Sequence, residues 1–108
     1  MLVGSRNLER GEAAAKEVGP DTRALQLDVT DQASITAAAE RIRKELGRLD
    51  VLVNNAAISN TSKLPGMSVQ DYAKLTRPSN VSLDEVRTVW ETNVFGVLST
   101  PRAKTPVC

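Results

Sequence analysis

The sequence predicts an α/β fold built on a parallel sheet, and two patterns carry that expectation. Short apolar runs rich in Val and Leu alternate with longer runs of helix formers. Polar connections of a few residues, several holding Gly, Asn or Asp, separate them. Strand and helix in strict alternation imply βαβ units with right-handed crossovers, because a parallel strand pair needs a long return over one face of the sheet.

The elements follow in order. Leu2–Ser5 (LVGS) reads as the end of a strand. Asn7 is a natural N-cap for a helix over Leu8–Val18, and Gly19–Pro20 stops it. Leu8, Ala15 and Val18 share a face with Gly11, which lacks a side chain and so permits close approach to a sheet. Ala24–Val29 (ALQLDV) reads as a second strand, with Leu25, Leu27 and Val29 alternating against Gln26 and Asp28. Thr30–Asp31 caps a helix over Gln32–Leu46, whose stripe is Ile35, Ala38 or Ala39, Ile42 and Leu46, and Gly47 ends it. Leu49–Val53 (LDVLV) reads as a third strand, apolar on both faces as a central parallel strand should be.

After Ile58 the pattern loosens. Ser59–Ser82 holds Pro65, Gly66 and Pro78 among many Ser, Thr and Asn, and predicts a long loop with a short helical turn over Val69–Leu75. Ser82 and Glu85 form a capping box for a helix carrying Val86, Val89, Trp90, Asn93, Val94, Val97 and Leu98, which Pro101 and Pro106 end.

Bulk properties narrow the function. A chain of 108 residues is one domain at most, able to bury about 65% of its unfolded surface. Of its residues 41% are hydrophobic but only 3% aromatic, so the core is assembled from small pieces. Fourteen basic and 13 acidic residues, spread along the chain, give a net charge of +1 and no footprint for nucleic acid or an acidic membrane. No apolar run approaches the roughly 20 residues of a membrane span. With no His and one Cys, Cys108, neither a metal site nor a Cys/His dyad is expected, and a reducing cytoplasm is the expected compartment.

One stretch resists a purely structural reading. The strand LDVLV runs directly into Asn54-Asn55-Ala56-Ala57, two amides that each need several hydrogen bonds. A turn would use them. So would a ligand, since open α/β sheets bind theirs at the carboxyl ends of strands. Together, NNAA (Asn54–Ala57), LDVTD (Leu27–Asp31), GSRN (Gly4–Asn7) and ETNVFG (Glu91–Gly96) resemble the short-chain dehydrogenase/reductase family.

That resemblance implies a partial Rossmann-type, three-layer α/β/α fold with a parallel sheet. Its domain spans 1–99, its first strand and C-terminal half are missing, and 100–108 form a tail unlike the family. It implies NADP rather than NAD as coenzyme. Arg6 is placed for a 2′-phosphate that a carboxylate would repel, with Ser5 adding a hydroxyl, although Arg6 could equally be a solvated side chain at a helix start. Asp28 and the backbone of Val29 would contact the adenine edge, unless Asp28 caps the following helix instead. Asn55, Ala56 and Ala57 would line the nucleotide, with Ala57 standing where the family usually has Gly. Asn93 matches a supporting residue that holds a water on the catalytic lysine, though a helix–sheet hydrogen bond would also satisfy it.

Other family parts have no match here. The glycine-rich phosphate turn belongs before Met1, and no catalytic Ser or Tyr-x-x-x-Lys is present: Tyr72 is followed four residues on by Thr76. The expectation is therefore an inactive fragment of an oxidoreductase for small carbonyls or alcohols. A non-catalytic interaction module and a non-functional gene fragment are the alternatives. Homo-oligomerisation or aggregation through the Ser82–Ser99 helix is expected with either.

Overall fold

The computed structural model describes residues 1–59 and 64–102. Two parallel strands, β1 (Leu2–Ser5) and β2 (Arg23–Gln26), are joined by helix α1 (Leu8–Val18) and followed by α2 (Gln32–Glu45). A short α3 (Val69–Leu75) precedes a long helical stretch made of α4 (Leu83–Trp90), a π-helical turn (Glu91–Gly96) and α5 (Val97–Arg102). This is a partial α/β fold of the expected class. Residues 60–63 of the expected loop, and the expected tail from 103 onward, lie outside the described residues.

The βαβ unit forms where local signals are strongest. Asn7 Oδ1 accepts the Arg10 N–H at 3.1 Å and starts α1, while the Gly19 N–H returns to the Ala15 carbonyl at 3.1 Å and closes it. Gly11 and Ala15 are the buried face of α1. A Cβ on Gly11 would sit 3.0 Å from the Ser5 Cβ, so glycine sets how closely the helix approaches the sheet. Leu8 and Val18, expected on that face, are exposed: strands of four residues are too short to cover both ends of an eleven-residue helix.

Asp31 caps α2 by accepting the Ala33 N–H at 3.0 Å. The helix closes where Gly47, in the left-handed region at φ 77°, donates its N–H to the Ile42 and Arg43 carbonyls, both at 3.1 Å. Ile35, Ala38, Ala39 and Ile42 are buried as the stripe predicts, whereas Leu46 beyond the last turn is exposed. Leu25, Ala38 and Ile42 form the core cluster, with Leu2, Leu27 and Leu49 packed around it.

Two strand expectations are corrected. β2 was expected over Ala24–Val29 but runs over Arg23–Gln26, in register with β1 from Leu2↔Arg23 to Ser5↔Gln26. A strand lasts only as long as its ladder. The final rung is Leu27 N–H to Ser5 C=O at 2.9 Å, after which no described strand runs beside Asp28 and Val29. The third strand, Leu49–Val53, does not form, apart from an isolated bridge at Leu49. Val51 and Val53 are 73% and 76% exposed. Apolar composition makes a segment competent to be a strand, but without a neighbour its N–H and C=O groups turn to water instead.

The Ser82 cap forms as expected, its Oγ accepting the Glu85 N–H at 3.1 Å, and Ser68 caps α3 in the same way through Asp71 N–H at 3.1 Å. Pro101 does not end the long helix but lies inside α5, which runs on to Arg102. A Cβ on Gly96 would come within 2.8 Å of Val29 Cγ2 and 3.0 Å of the Val29 carbonyl, so this glycine lets the π turn sit directly on the strand end. The Cα radius of gyration is 16.7 Å, against roughly 13 Å for a compact chain of this length.

Candidate functional site

The site is built where β1 and β2 end side by side. The Leu27–Ser5 rung sets Ser5 and Arg6 next to Asp28. Ser5 Oγ donates to the Asn7 carbonyl at 2.8 Å, which holds the turn into α1. Asp28 is fixed from three directions. Its Oδ1 accepts the Thr30 hydroxyl at 2.6 Å and the Thr30 N–H at 2.9 Å. Its own N–H donates to Ser34 Oγ at 2.9 Å.

This is an Asx-type turn, and the N-cap of α2 is Asp31, not Asp28. Thr30, expected as part of the cap, orients Asp28 instead. The Thr30 hydroxyl and then its N–H hold the Asp28 carboxyl below its ordinary value, partial burial opposes them, and the Arg6 charge adds a smaller push in the same direction. Arg6 is exposed and makes no ion pair among the described residues.

The other half of the site is Asn54–Ala57, exposed throughout, and it is tied down just past its end. Asn93 Oδ1 accepts the Ile58 N–H at 2.9 Å, and Asn93 Nδ2 donates to the Ile58 carbonyl at 2.7 Å. A single amide thereby satisfies both polar groups of one backbone residue, 35 residues away in sequence. Asn93 and Gly96 both belong to the π turn. One holds Ile58 and the other lies against Val29, so the turn links the two halves. π turns replace i→i+4 bonds with i→i+5 bonds and re-aim the side chains they carry.

The structure thus joins Ser5, Arg6 and Asp28 at one strand end, sets Val29 beside Gly96, and reaches Ala57 through Ile58 and Asn93. Thr30, Ser34, Ile58 and Gly96 are participants that the sequence reading did not assign. Asp-x-Thr, the Asx-turn spacing, was the available signal for Thr30. A groove elsewhere on the molecule is lined by Glu12, Ala15, Lys16, Gly19, Pro20, Thr22 and Ala24. It contains none of the expected site residues. No helix among the described residues is long and apolar enough to cross a membrane.

Comparison with known proteins is consistent with this geometry. A family model described as short chain dehydrogenase matches residues 1–107. The short-chain dehydrogenase anuI of Penicillium roqueforti is 34% identical over 101 residues, covering 90% of this chain and 34% of that protein. Carbonyl reductase [NADPH] 1 of Sus scrofa is 47% identical over 62 residues, covering 55% of this chain and 22% of that one. The crystal structure of a 3-ketoacyl-(acyl-carrier-protein) reductase from Brucella melitensis, complexed with NADH, superposes with a TM-score of 0.73 at 26% identity, covering 94% of this chain and 36% of that one. The chain spans about a third of the length of the curated relatives it matches.

Proposed function

Because the chain belongs to the short-chain dehydrogenase family, whose members are NAD(P)-dependent oxidoreductases, we propose that it carries part of a coenzyme site that prefers NADP. The substrates of the full activity are small carbonyl compounds or alcohols. The residues present suit the group. Arg6 and Ser5 would hold the 2′-phosphate, Asp28 and the Val29 backbone the adenine edge, and Asn55, Ala56 and Ala57 the nucleotide beyond. Asn93 would position that last segment through Ile58. Bound there, the nicotinamide would supply or accept the hydride.

The observation that supports NADP is Arg6, exposed and unpaired among the described residues at the end of β1. A guanidinium fork matches a phosphate in shape and charge. Relatives named for NADPH and solved with NADH both occur, so the preference rests on this residue and not on likeness. Titrating the chain with NADPH and with NADH, followed by fluorescence, tests it. Charge-assisted contact is worth about 1.5–3 kcal/mol, roughly ten- to hundredfold in affinity, and Arg6→Ala should erase that margin. Equal affinity for the two coenzymes in the unsubstituted chain would refute the preference.

We further hold that these 108 residues alone transfer no hydride. Reducing a carbonyl needs a proton donor of matched pKa, and Tyr72 with Thr76 four residues on does not make the Tyr-x-x-x-Lys pair. Self-association through the Ser82–Ser99 helix belongs to the same reading, supported by exposed Leu83, Trp90, Phe95 and Leu98. The single cysteine supports a cytoplasmic compartment. The exposed helix also favours a second reading, an interaction module, which saturable partner binding without NADPH turnover would establish.

A further inference from the structure

Glycine is a poor residue for a helix interior, so Gly96, inside the long helical stretch, needs a reason. The reason is contact. All three heavy atoms nearest to a Cβ placed there belong to Val29: Cγ2 at 2.8 Å, the carbonyl oxygen at 3.0 Å and Cβ at 3.1 Å. Gly96 itself is buried.

The two sides of this contact are not equally held. On the helix side, Asn93 makes both of its bonds to Ile58, and the Thr100 hydroxyl donates to the Gly96 carbonyl at 3.0 Å. On the strand side, the ladder has ended at Leu27, and Val29 lies in the turn that the Asp31 N–H closes on the Asp28 carbonyl at 3.1 Å. Turning the Val29 side chain would move Cγ2 but leave its Cβ and carbonyl oxygen in place, and a β-branched side chain is stiff at χ1. Added bulk at Gly96 is therefore met by displacement of the Val29 backbone. The turn carries that displacement to the Asp28 carboxylate.

We propose that Gly96 is a positioning residue for the adenine half of the coenzyme site: its lack of a side chain sets where the Val29 backbone and Asp28 stand. This rests on the coenzyme reading above, in which Val29 and Asp28 meet the adenine edge. Ser5 ends β1 and Arg6 follows it, and no atom of either is among the three nearest to Gly96. Gly96 therefore governs how tightly a dinucleotide binds, and not the choice between NADP and NAD.

The test titrates the full chain with NADPH and with NADH, followed by fluorescence. Gly96→Ala should weaken both by roughly tenfold, the worth of one or two hydrogen bonds, and leave their ratio unchanged. In a Val29→Ala background, which removes the closest contact, the same substitution should cost at most about threefold. A residue that only packs would change the unfolding midpoint and not the affinity of the folded chain. NMR of the unsubstituted chain needs no variant to fold: on adding NADPH, the Gly96 amide should shift together with those of Asp28 and Val29. Coenzyme affinity indifferent to Gly96→Ala, a loss of the same size in the Val29→Ala background, or a Gly96 amide that ignores bound NADPH would each overturn the proposal. A chain that binds neither coenzyme would overturn the coenzyme reading with it. Equal affinity for NADPH and NADH, with the Gly96→Ala loss intact, would remove the preference for NADP and support the role of Gly96.

Discussion

Residues 2–46 and residues 49–59 are written in much the same residue types, yet the first region folds and the second hangs between two anchors. Leu25, in β2, is 6% exposed, and Val53, in a segment at least as apolar, is 76% exposed. The difference lies in neighbours. β1 and β2 satisfy each other's backbone groups, and their side chains are closed over by α1 on one face and α2 on the other. The LDVLV segment has α2 near its first residue and, past the isolated bridge at Leu49, no described strand alongside its backbone. Burial follows from the ladder, because an apolar side chain cannot be brought out of water while the peptide carrying it is unpaired.

The sharpest way to break this contrast is to truncate one residue in each region. Leu25→Ala removes a buried side chain from the core cluster and should cost about 2–5 kcal/mol, enough to unfold much of so small a unit. Val51→Ala should change stability by no more than about 0.5 kcal/mol in dilute solution. Denaturant unfolding followed by circular dichroism measures both. Similar costs at the two positions would mean that Val51 is buried in solution and the contrast is false.

That contrast also explains what could be read from residues alone. The helices were legible because their signals are local: Asn7, Asp31 and Ser82 each cap the helix that follows, Gly11 marks the close face of α1, and Ile35, Ala38, Ala39 and Ile42 repeat at helical spacing. Arg6 and Asp28 could be placed near each other because each follows a parallel strand, although β2 ends at Gln26 and not at Val29. The third strand was misread since strand formation depends on a partner that composition does not supply. Thr30 was read as a cap and Ser34 was not assigned, because a hydroxyl's partner is decided by the turn it sits in. The π turn has no periodic signature. An amide interrupting the apolar stripe at Asn93 was its trace, and the distant partner Ile58 could not be inferred from it.

A smaller effect probes the joint between the regions. Asn93→Ala removes both hydrogen bonds to Ile58 and should cost about 1–3 kcal/mol locally, at roughly 0.5–1.5 kcal/mol each. The readout is amide exchange at Ile58, which should accelerate tenfold or more while exchange at Leu25 hardly changes. Acceleration at both amides would show that the two regions unfold as one, and the division between them would have to be abandoned.

The smallest expected effect is electrostatic and belongs wholly to the folded region. Asp28 is held below its ordinary value chiefly by the Thr30 hydroxyl, then by the Thr30 N–H, with Arg6 contributing less. A carboxyl whose folded pKa is depressed adds stability that is present above its unfolded value, near about 3.9, and lost as the pH falls through the folded value. Acid should therefore loosen the Asp28 turn only below about pH 4. Thr30→Val deletes the largest cause and should raise the Asp28 pKa toward the unfolded value, so that less stability is lost on acidification. Arg6→Ala should move it in the same direction but less, and added salt should reduce that smaller movement, because a charge interaction across solvent is screened while a hydrogen bond is not. Carboxyl carbon shifts followed through an acid titration separate the two substitutions. A larger displacement from Arg6→Ala than from Thr30→Val would make Asp28 a charge partner of Arg6 first and a turn residue second, and would shift the origin of the site's order from local hydrogen bonding to the pairing of β1 with β2.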